Sequence, residues 1–507
     1  MPYKSRWRVD VPDTHLASIL LTSPTAPLSK TDRCFLDAER PDTHYFTTHD
    51  FRLWSQRPTA GLRKSGLHPG DRVLMFSGND LFFPVVFMGI STGANPMSVP
   101  RELAYQLEDG GATYMICART SLDTGLEAAR RVGLSRDRVF VFDNTLYDGH
   151  GVGEKPCRYW GELVVSPEEG EGFAWDELST PELADRTLAL TYSSGVEITH
   201  KNYVANLLQF TYIERLHPNY EAKRARKCCL CFLPMYHSMA QMIMIAATLA
   251  LNTPVYIMPK FDFIQMLEYT QRYRITDYVV VPPIVVPLAK HPAVKKFNLS
   301  SVEDIGCGAA PLGKEVSEQL QALWPPGKVN VRQGYGMAET TCSMMNWDPR
   351  EKGFSAAVGE LNANCEAKIM ADSVTELSER NQRGELWLRG QNVMKGYWQN
   401  SEATKATKTG DVAFVDDHGK FHVVDQLKEL IKVKGNQVAP AELKDLLLEH
   451  PVVADAAVIG NATDNDERPR AYVVLKSGQV ASAKDIFAVR RWQGVPDRTD
   501  HRWGSFH

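Results

Sequence analysis

From Asp71 onward the chain alternates short β-branched or apolar runs with longer helical patterns, and this alternation restricts the available folds more than any other feature. DRVLMFSG is followed by LFFPVVFMGI, then by ATYMICA, RVFVFD, LALTYSS, CCLCFLP, TPVYIMP and TDYVVVPP. Parallel strands need long crossovers, usually helices, and these cover both sheet faces, so such strands read as continuous apolar runs. The expected class is therefore α/β, with a large N-terminal domain of covered parallel sheets over 1–424. Residues 144–182, rich in Gly, Glu, Pro and Asp, read as a polar connecting loop.

After Ile369 the pattern shortens to alternating strands, GELWLRG and then VAFVDDHGKFHVV, which turns at DDHG. This predicts a small β-rich subdomain over about 365–424. A boundary is expected at Asp425 and Gln426, followed by a small, truncated α+β C-terminal domain over 425–486. Its helix opens at Pro440 with Leu443, Leu446 and Leu447 on one face, and a last helical pattern falls near 482–492. Residues 487–507 have no periodicity and read as a tail. A chain of 507 residues exceeds one ordinary core, in keeping with this subdivision.

Composition narrows the class further. The chain is 43% hydrophobic and 23% charged, as soluble globular enzymes are, and its net charge of -4 gives no general attraction to nucleic acid or acidic membranes. The nine cysteines are scattered, and the one cluster, Cys228, Cys229 and Cys231, lacks the spacing of metal-ligand pairs. They read as reduced, buried thiols. The N-terminus has no apolar run behind its basic residues, and the longest apolar stretch, MIMIAATLAL at 242–251, falls short of the ~20 residues of a membrane span. That stretch reads as a buried core helix. The final Ser505-Phe506-His507 is not a peroxisomal address of the SKL type, so the expected location is intracellular and cytoplasmic.

One stretch carries concentrated chemistry: VNVRQGYGMAETTCS at 329–343. Val329 and Val331 alternate as in a buried strand, and Gly334 and Gly336 then allow a sharp turn. Tyr335 on that turn suits either a core position or a platform for a purine. Glu339, four residues on, suits either a solvated face or a hard oxygen ligand for Mg2+. The string Tyr-Gly-Met-Ala-Glu-Thr occurs together with GCGAAPLG at 306–313, FLPMYHSMAQ at 232–241, GELWLRGQNVMKGYW at 384–398 and KTGDVAFVDDHGKFHVVDQLKELIKVKGNQVAP at 408–440.

These blocks, in this order, resemble the AMP-forming adenylating superfamily of acyl-CoA synthetases, luciferases and peptide-synthetase adenylation domains, most nearly the 4-coumarate:CoA ligase-like acyl-CoA ligases. The resemblance covers residues 35 to 480. It implies ATP, Mg2+ and coenzyme A, with an aromatic or medium-chain carboxylic acid as substrate. It also implies a two-step reaction through an acyl-adenylate, in which a small C-terminal domain swings about a hinge. By the resemblance, Gly308, Ala309, Ala310, Pro311, Gly334, Tyr335, Gly336 and Thr340 belong to the nucleotide site, and Glu339 holds the metal. Asp411 of the Thr-Gly-Asp motif grips the ribose near Gln426, and Lys432 acts in thioester formation. His237 is placed near the reacting carboxylate, and Tyr236, His237, Met239 and Gly308 line the acyl pocket.

The departures from the family pattern bear on rate. In TYSSGVEITHKNYV, Ser193, Ser194 and Gly195 of the phosphate loop are present, but Val196 follows directly, and the rest of the loop with its lysine is absent. Lys201 is not its substitute. No lysine follows Lys484, where relatives carry one that bridges substrate carboxylate and α-phosphate. Ala338 replaces a hydroxyl residue and Gln426 an arginine. Each lost charge-stabilising donor typically costs roughly 10²- to 10³-fold, so adenylation slowed by on the order of 10⁴ is expected. The alternatives are a non-catalytic nucleotide- or acyl-binding relative, or an adenylating enzyme that serves a carrier protein.

Overall fold

The computed structural model describes residues 2–22, 28–89, 93–154, 157–191, 195–351, 356–405, 408–426, 431–433, 436–438, 440–448, 450–463, 466–476, 478–482 and 485–486. The apolar runs build two mainly parallel sheets. In the first, all strands are parallel, in the order Gly93–Ala94, Arg72–Phe76, Ala112–Ala118, Val139–Phe142 and Arg158–Tyr159. The second runs Asn330–Gln333, Asp304–Cys307, Asp277–Val280, Cys229–Cys231, Val255–Ile257, Arg33–Asp37 and Tyr45–Thr47, with only the last pair antiparallel. Helices such as Thr48–Lys64, Phe83–Gly89 and His200–Arg215 bury their apolar sides in the same core. The fold is thus α/β with covered parallel sheets and a small C-terminal unit.

Two local expectations are corrected. LALTYSS does not join a parallel sheet: Thr187–Thr191 pairs antiparallel with Val196–Thr199, which pairs antiparallel with Gly396–Tyr397. Thr191 stands opposite Val196, so only positions 192–195 separate the two, far too few for a crossover. The stretch 144–182 is more than a loop. It contains the strand Arg158–Tyr159, the short helical turns Asn144–Asp148 and Trp160–Leu163, and the helix Pro167–Glu171. Trp160, fully buried, anchors it through ring contacts with Phe82 at 5.0 Å and Phe142 at 5.1 Å.

The later part of the chain forms an antiparallel sheet in the order Tyr3–Lys4, Glu366–Met370, Gly384–Arg389, Asp411–Val415 and Phe421–Gln426. Tyr3 pairs with Ala367, and the Arg6 guanidinium donates to Glu360 at 2.8 Å and Asp348 at 2.9 Å, fastening the first residues to this sheet. The hairpin turning at DDHG is present, its sharp corner taken by Gly419 at φ 79°. Beyond it come the paired strands Ile431–Val433 and Asn436–Val438, the helix Pro440–Leu448, and the pair Val453–Thr463 and Asp466–Leu475. Leu443 and Leu447 are buried on that helix, whereas the side chain of Leu446, most of the 482–492 pattern and the 487–507 tail lie outside the described residues.

All nine cysteines are free and buried, and burial pushes thiols such as Cys231 and Cys307 up to about 12. The stretch 242–251 is a buried helix, as its composition suggested. Among the described residues no helix is long and apolar enough to cross a membrane.

Candidate active site

The site is built where the Asn330–Gln333 strand leaves the sheet. Val329 and Val331 are buried on either side of Asn330, and the chain exits at Gly334, whose N–H donates to the Cys307 carbonyl at 2.9 Å. Gly336 is required by close approach: a Cβ there would lie 1.7 Å from the Cys342 carbonyl oxygen. A tight helical turn, Ala338–Thr340, follows, capped by the Thr340 hydroxyl, which accepts from the Met337 N–H at 3.0 Å. This turn carries Glu339. It is pinned from outside, because the Met394 N–H donates to the Glu339 carbonyl at 2.7 Å and the Thr341 hydroxyl donates to the Asn392 carbonyl at 2.7 Å.

The carboxylate of Glu339 is itself oriented. The Tyr397 hydroxyl donates to Oε1 at 2.8 Å, and Tyr397 stands opposite Val196 in the three-stranded ribbon that ends at Gly195. Gly195 has φ 71°, a conformation that glycine adopts without steric cost, and its carbonyl accepts from the Trp398 N–H at 2.8 Å.

Tyr335 and Asp411 meet directly. The phenol donates to Asp411 Oδ2 at 2.6 Å, and burial together with that carboxylate raises the Tyr335 pKa, so the hydroxyl stays protonated and donates. Asp411 is 7% exposed, stands opposite Gln426 in the hairpin, and its N–H donates to the Thr409 hydroxyl at 3.1 Å. Across from them the Gly308 N–H donates to the Val280 carbonyl, and Ala309 is held at φ 70°. A left-handed alanine costs roughly 1–2 kcal/mol, the kind of local strain that clusters at ligand sites.

His237 follows a loop locked by Asn79, whose side chain donates to the Leu233 and Met258 carbonyls and accepts from the Met235 N–H. Burial lowers the His237 pKa, so the imidazole is neutral near pH 7. Its ring lies 4.6 Å from that of Tyr236.

One cavity of about 1290 Å³ gathers Gly308, Ala309, Ala310, Pro311, Gly334, Tyr335, Gly336, His237, Met239, Asp411 and Gln426. Tyr236, Glu339 and Thr340 are not in its lining. Glu339 is half-buried beside Tyr397, and Thr340, 2% exposed, spends its hydroxyl within the turn. Ser193 and Ser194 lie outside the described residues, and Lys432 is described only as part of the strand Ile431–Val433.

The family model for the AMP-binding enzyme matches residues 28–398, and that for the AMP-binding enzyme C-terminal domain matches 442–492. The chain belongs to the AMP-binding enzyme family. This AMP-binding enzyme is similar to 4-coumarate--CoA ligase 1 of Petroselinum crispum, at 33% identity over 89% of this chain and 84% of that one. It is also similar to 4-coumarate--CoA ligase 2 of Nicotiana tabacum, at 34% identity over 87% and 82%. Among solved structures, its fold matches an anthranilate CoA ligase, AuaEII, in complex with anthranoyl-AMP, with TM-score 0.82, 18% identity and coverage of 98% and 94%. It likewise matches ATP-bound MatB from Rhodopseudomonas palustris, with TM-score 0.79, 22% identity and coverage of 95% and 92%. By lineage the protein is an acyl-CoA ligase-like adenylating enzyme.

Residues that motif reading passed over also hold this region in place. Tyr397 lay in the quoted GYW text, but nothing local to it announced a partner at Glu339. Asn79 carried no signal, because its three backbone partners are more than 150 positions away.

Proposed function

We propose that this chain activates a carboxylic acid with ATP and transfers the acyl group to coenzyme A. The observation that carries the reading is the convergence of Tyr335, Asp411, the Gly308 to Pro311 backbone and His237 on one cavity. In the first step a carboxylate oxygen bonds to the α-phosphorus, the bond to the bridging oxygen breaks, and pyrophosphate leaves. In the second, a thiolate sulfur bonds to the acyl carbon and AMP leaves with the electron pair.

The chain's own residues act mainly by positioning, which is what phosphoryl transfer most needs. Asp411 offers two oxygens to a ribose diol, and Tyr335 closes one side of the base pocket while steadying Asp411. The neutral His237 imidazole can donate one hydrogen bond to the acid as charge shifts from carboxylate to phosphate. Glu339, aimed by Tyr397, would supply a hard carboxylate oxygen to Mg2+, and the bound ion would neutralise phosphate charge. Lys432 is assigned to the thioester step.

The short connection at Gly195 supports a slow first step. The deciding experiment is acid-dependent pyrophosphate exchange over aromatic and medium-chain acids, followed by a coenzyme A thioester assay. Exchange above the no-acid background, lost in Asp411→Ala, is expected. Nucleotide binding with no exchange for any acid would leave a non-catalytic binding relative as the correct reading.

A further inference from the structure

The cavity does not stop at the nucleotide residues. It runs back along the parallel strands toward their N-terminal ends, and the sheet register sets its floor in rows. Val279, Gly306 and Arg332 stand side by side in one row, Asp277 and Asp304 in the next, and all five line the cavity. The facing wall is the helix Ala240–Ala247, whose wide i→i+5 turns bring Ile243 and Ala247 onto the same cavity as Met239 and Leu251 around it.

Gly306 keeps this passage open. It is exposed although it sits in the middle of a central strand, and a Cβ there would meet only the Tyr278 carbonyl oxygen, at 3.9 Å. From Gly308 back to Arg332's row is ~7 Å along the strand and to Asp304 ~13 Å. That is room for an extended chain of about six to ten carbons.

The far end is charged but balanced. Lys227 pairs with Glu214 at 2.7 Å and Asp277 at 3.2 Å, and Lys223 pairs with Asp304. Arg332 is different. Its contacts among the described residues, to Asp304 Oδ1 and the Glu351 carbonyl, both stand at 3.5 Å, the outer limit of a hydrogen bond. A guanidinium has five N–H donors to satisfy. A methyl end laid against this cluster strips water from charges and returns nothing. A second carboxylate adds an unbalanced buried charge. A neutral acceptor on Arg332 incurs neither cost.

Resting on the adenylation reading above, we propose that the acid activated here is a long one whose far end carries a neutral hydrogen-bonding group, a hydroxyl or amide, received by Arg332 beyond Gly306. The test is calorimetric titration of the full chain with acyl-sulfamoyl-adenosines, which mimic the adenylate and bypass the slow first step. Three carry the same eight-carbon acyl chain ending in methyl, hydroxyl or carboxylate, and a fourth is the acetyl parent. The hydroxyl-ended compound is expected to bind about tenfold more tightly than the methyl-ended one, the worth of one hydrogen bond to a charged group. Arg332→Gln brings the two within about twofold, and Gly306→Leu weakens both at least roughly tenfold relative to the acetyl parent. A methyl-ended compound that binds as well, a carboxylate-ended one that binds best, or no response to Gly306→Leu overturns the proposal. If only the acetyl parent binds, the deep pocket is refuted and the adenylate reading stands. If none binds, both fall.

Discussion

Gly336 and Gly334 flank Tyr335 and look equivalent in sequence, yet the structure assigns them opposite sensitivities. A Cβ at Gly336 would sit 1.7 Å from the Cys342 oxygen, 2.6 Å from the Cys342 carbon and 2.8 Å from Ser343 Cα, all backbone atoms that no rotamer change can move. Ordinary contact needs about 3.4 Å, so the Ala338–Thr340 turn would have to shift by roughly 1.5 Å or more. Three hydrogen bonds hold that turn: Met394 to Glu339, Thr341 to Asn392, and Asn392 to Thr340. At about 1 kcal/mol each, Gly336→Ala is expected to cost roughly 3 kcal/mol and to displace Glu339. At Gly334 the nearest atom to a Cβ is the Met345 oxygen at 3.6 Å, so Gly334→Ala is expected to cost under about 1 kcal/mol. Paired denaturant titrations of the two variants, each with and without ATP, measure this. Equal losses, or an intact Gly336→Ala protein that binds ATP normally, would refute the packing argument.

Three further outcomes are expected. The rings of His15 and His200 lie 4.1 Å apart, tilted by 41°, each accepting a backbone N–H on Nδ1, and burial lowers both, His15 from 6.5 to about 4. The stability they confer is therefore full above pH 6.5 and lost as pH falls toward 4, by up to about 3 kcal/mol for His15; unfolding midpoints across that range should show it, with a shallower slope in His15→Asn. Tyr397→Phe frees the Glu339 carboxylate and should raise the Mg2+ concentration for half-maximal exchange roughly tenfold, with little effect on stability; an unchanged Mg2+ curve would contradict the orienting role. Asp411→Ala should weaken ATP binding by about 10- to 100-fold in calorimetry, and unaltered affinity would remove Asp411 from the ribose site.

The parallel strands were legible because burial on both faces makes them apolar throughout, as in Val139–Phe142 and Cys229–Cys231. The hairpin at Asp416 to Gly419 was legible because its turn chemistry is local. Thr187–Thr191 was misread because its text is equally apolar, and only the four positions after it decide its direction. The stretch 144–182 was read by its Gly and Pro content, whereas Trp160 at its centre decides its packing. Tyr335 and Asp411, 76 positions apart, were joined through family resemblance, and their 2.6 Å contact fixes the geometry that resemblance left open. The depth of the cavity was not legible at all, since Gly306 and Arg332 become neighbours only through strand register.

The pairing of Tyr3 with Ala367 and the clasp of Arg6 on Asp348 and Glu360 also bear on folding kinetics. Arg6 and Glu360 stand 354 positions apart, so this edge of the sheet closes only by a contact of very long range. Such contacts return nothing until the loop between them has been brought together, which makes the docking of Tyr3–Lys4 a late event in the assembly of this sheet.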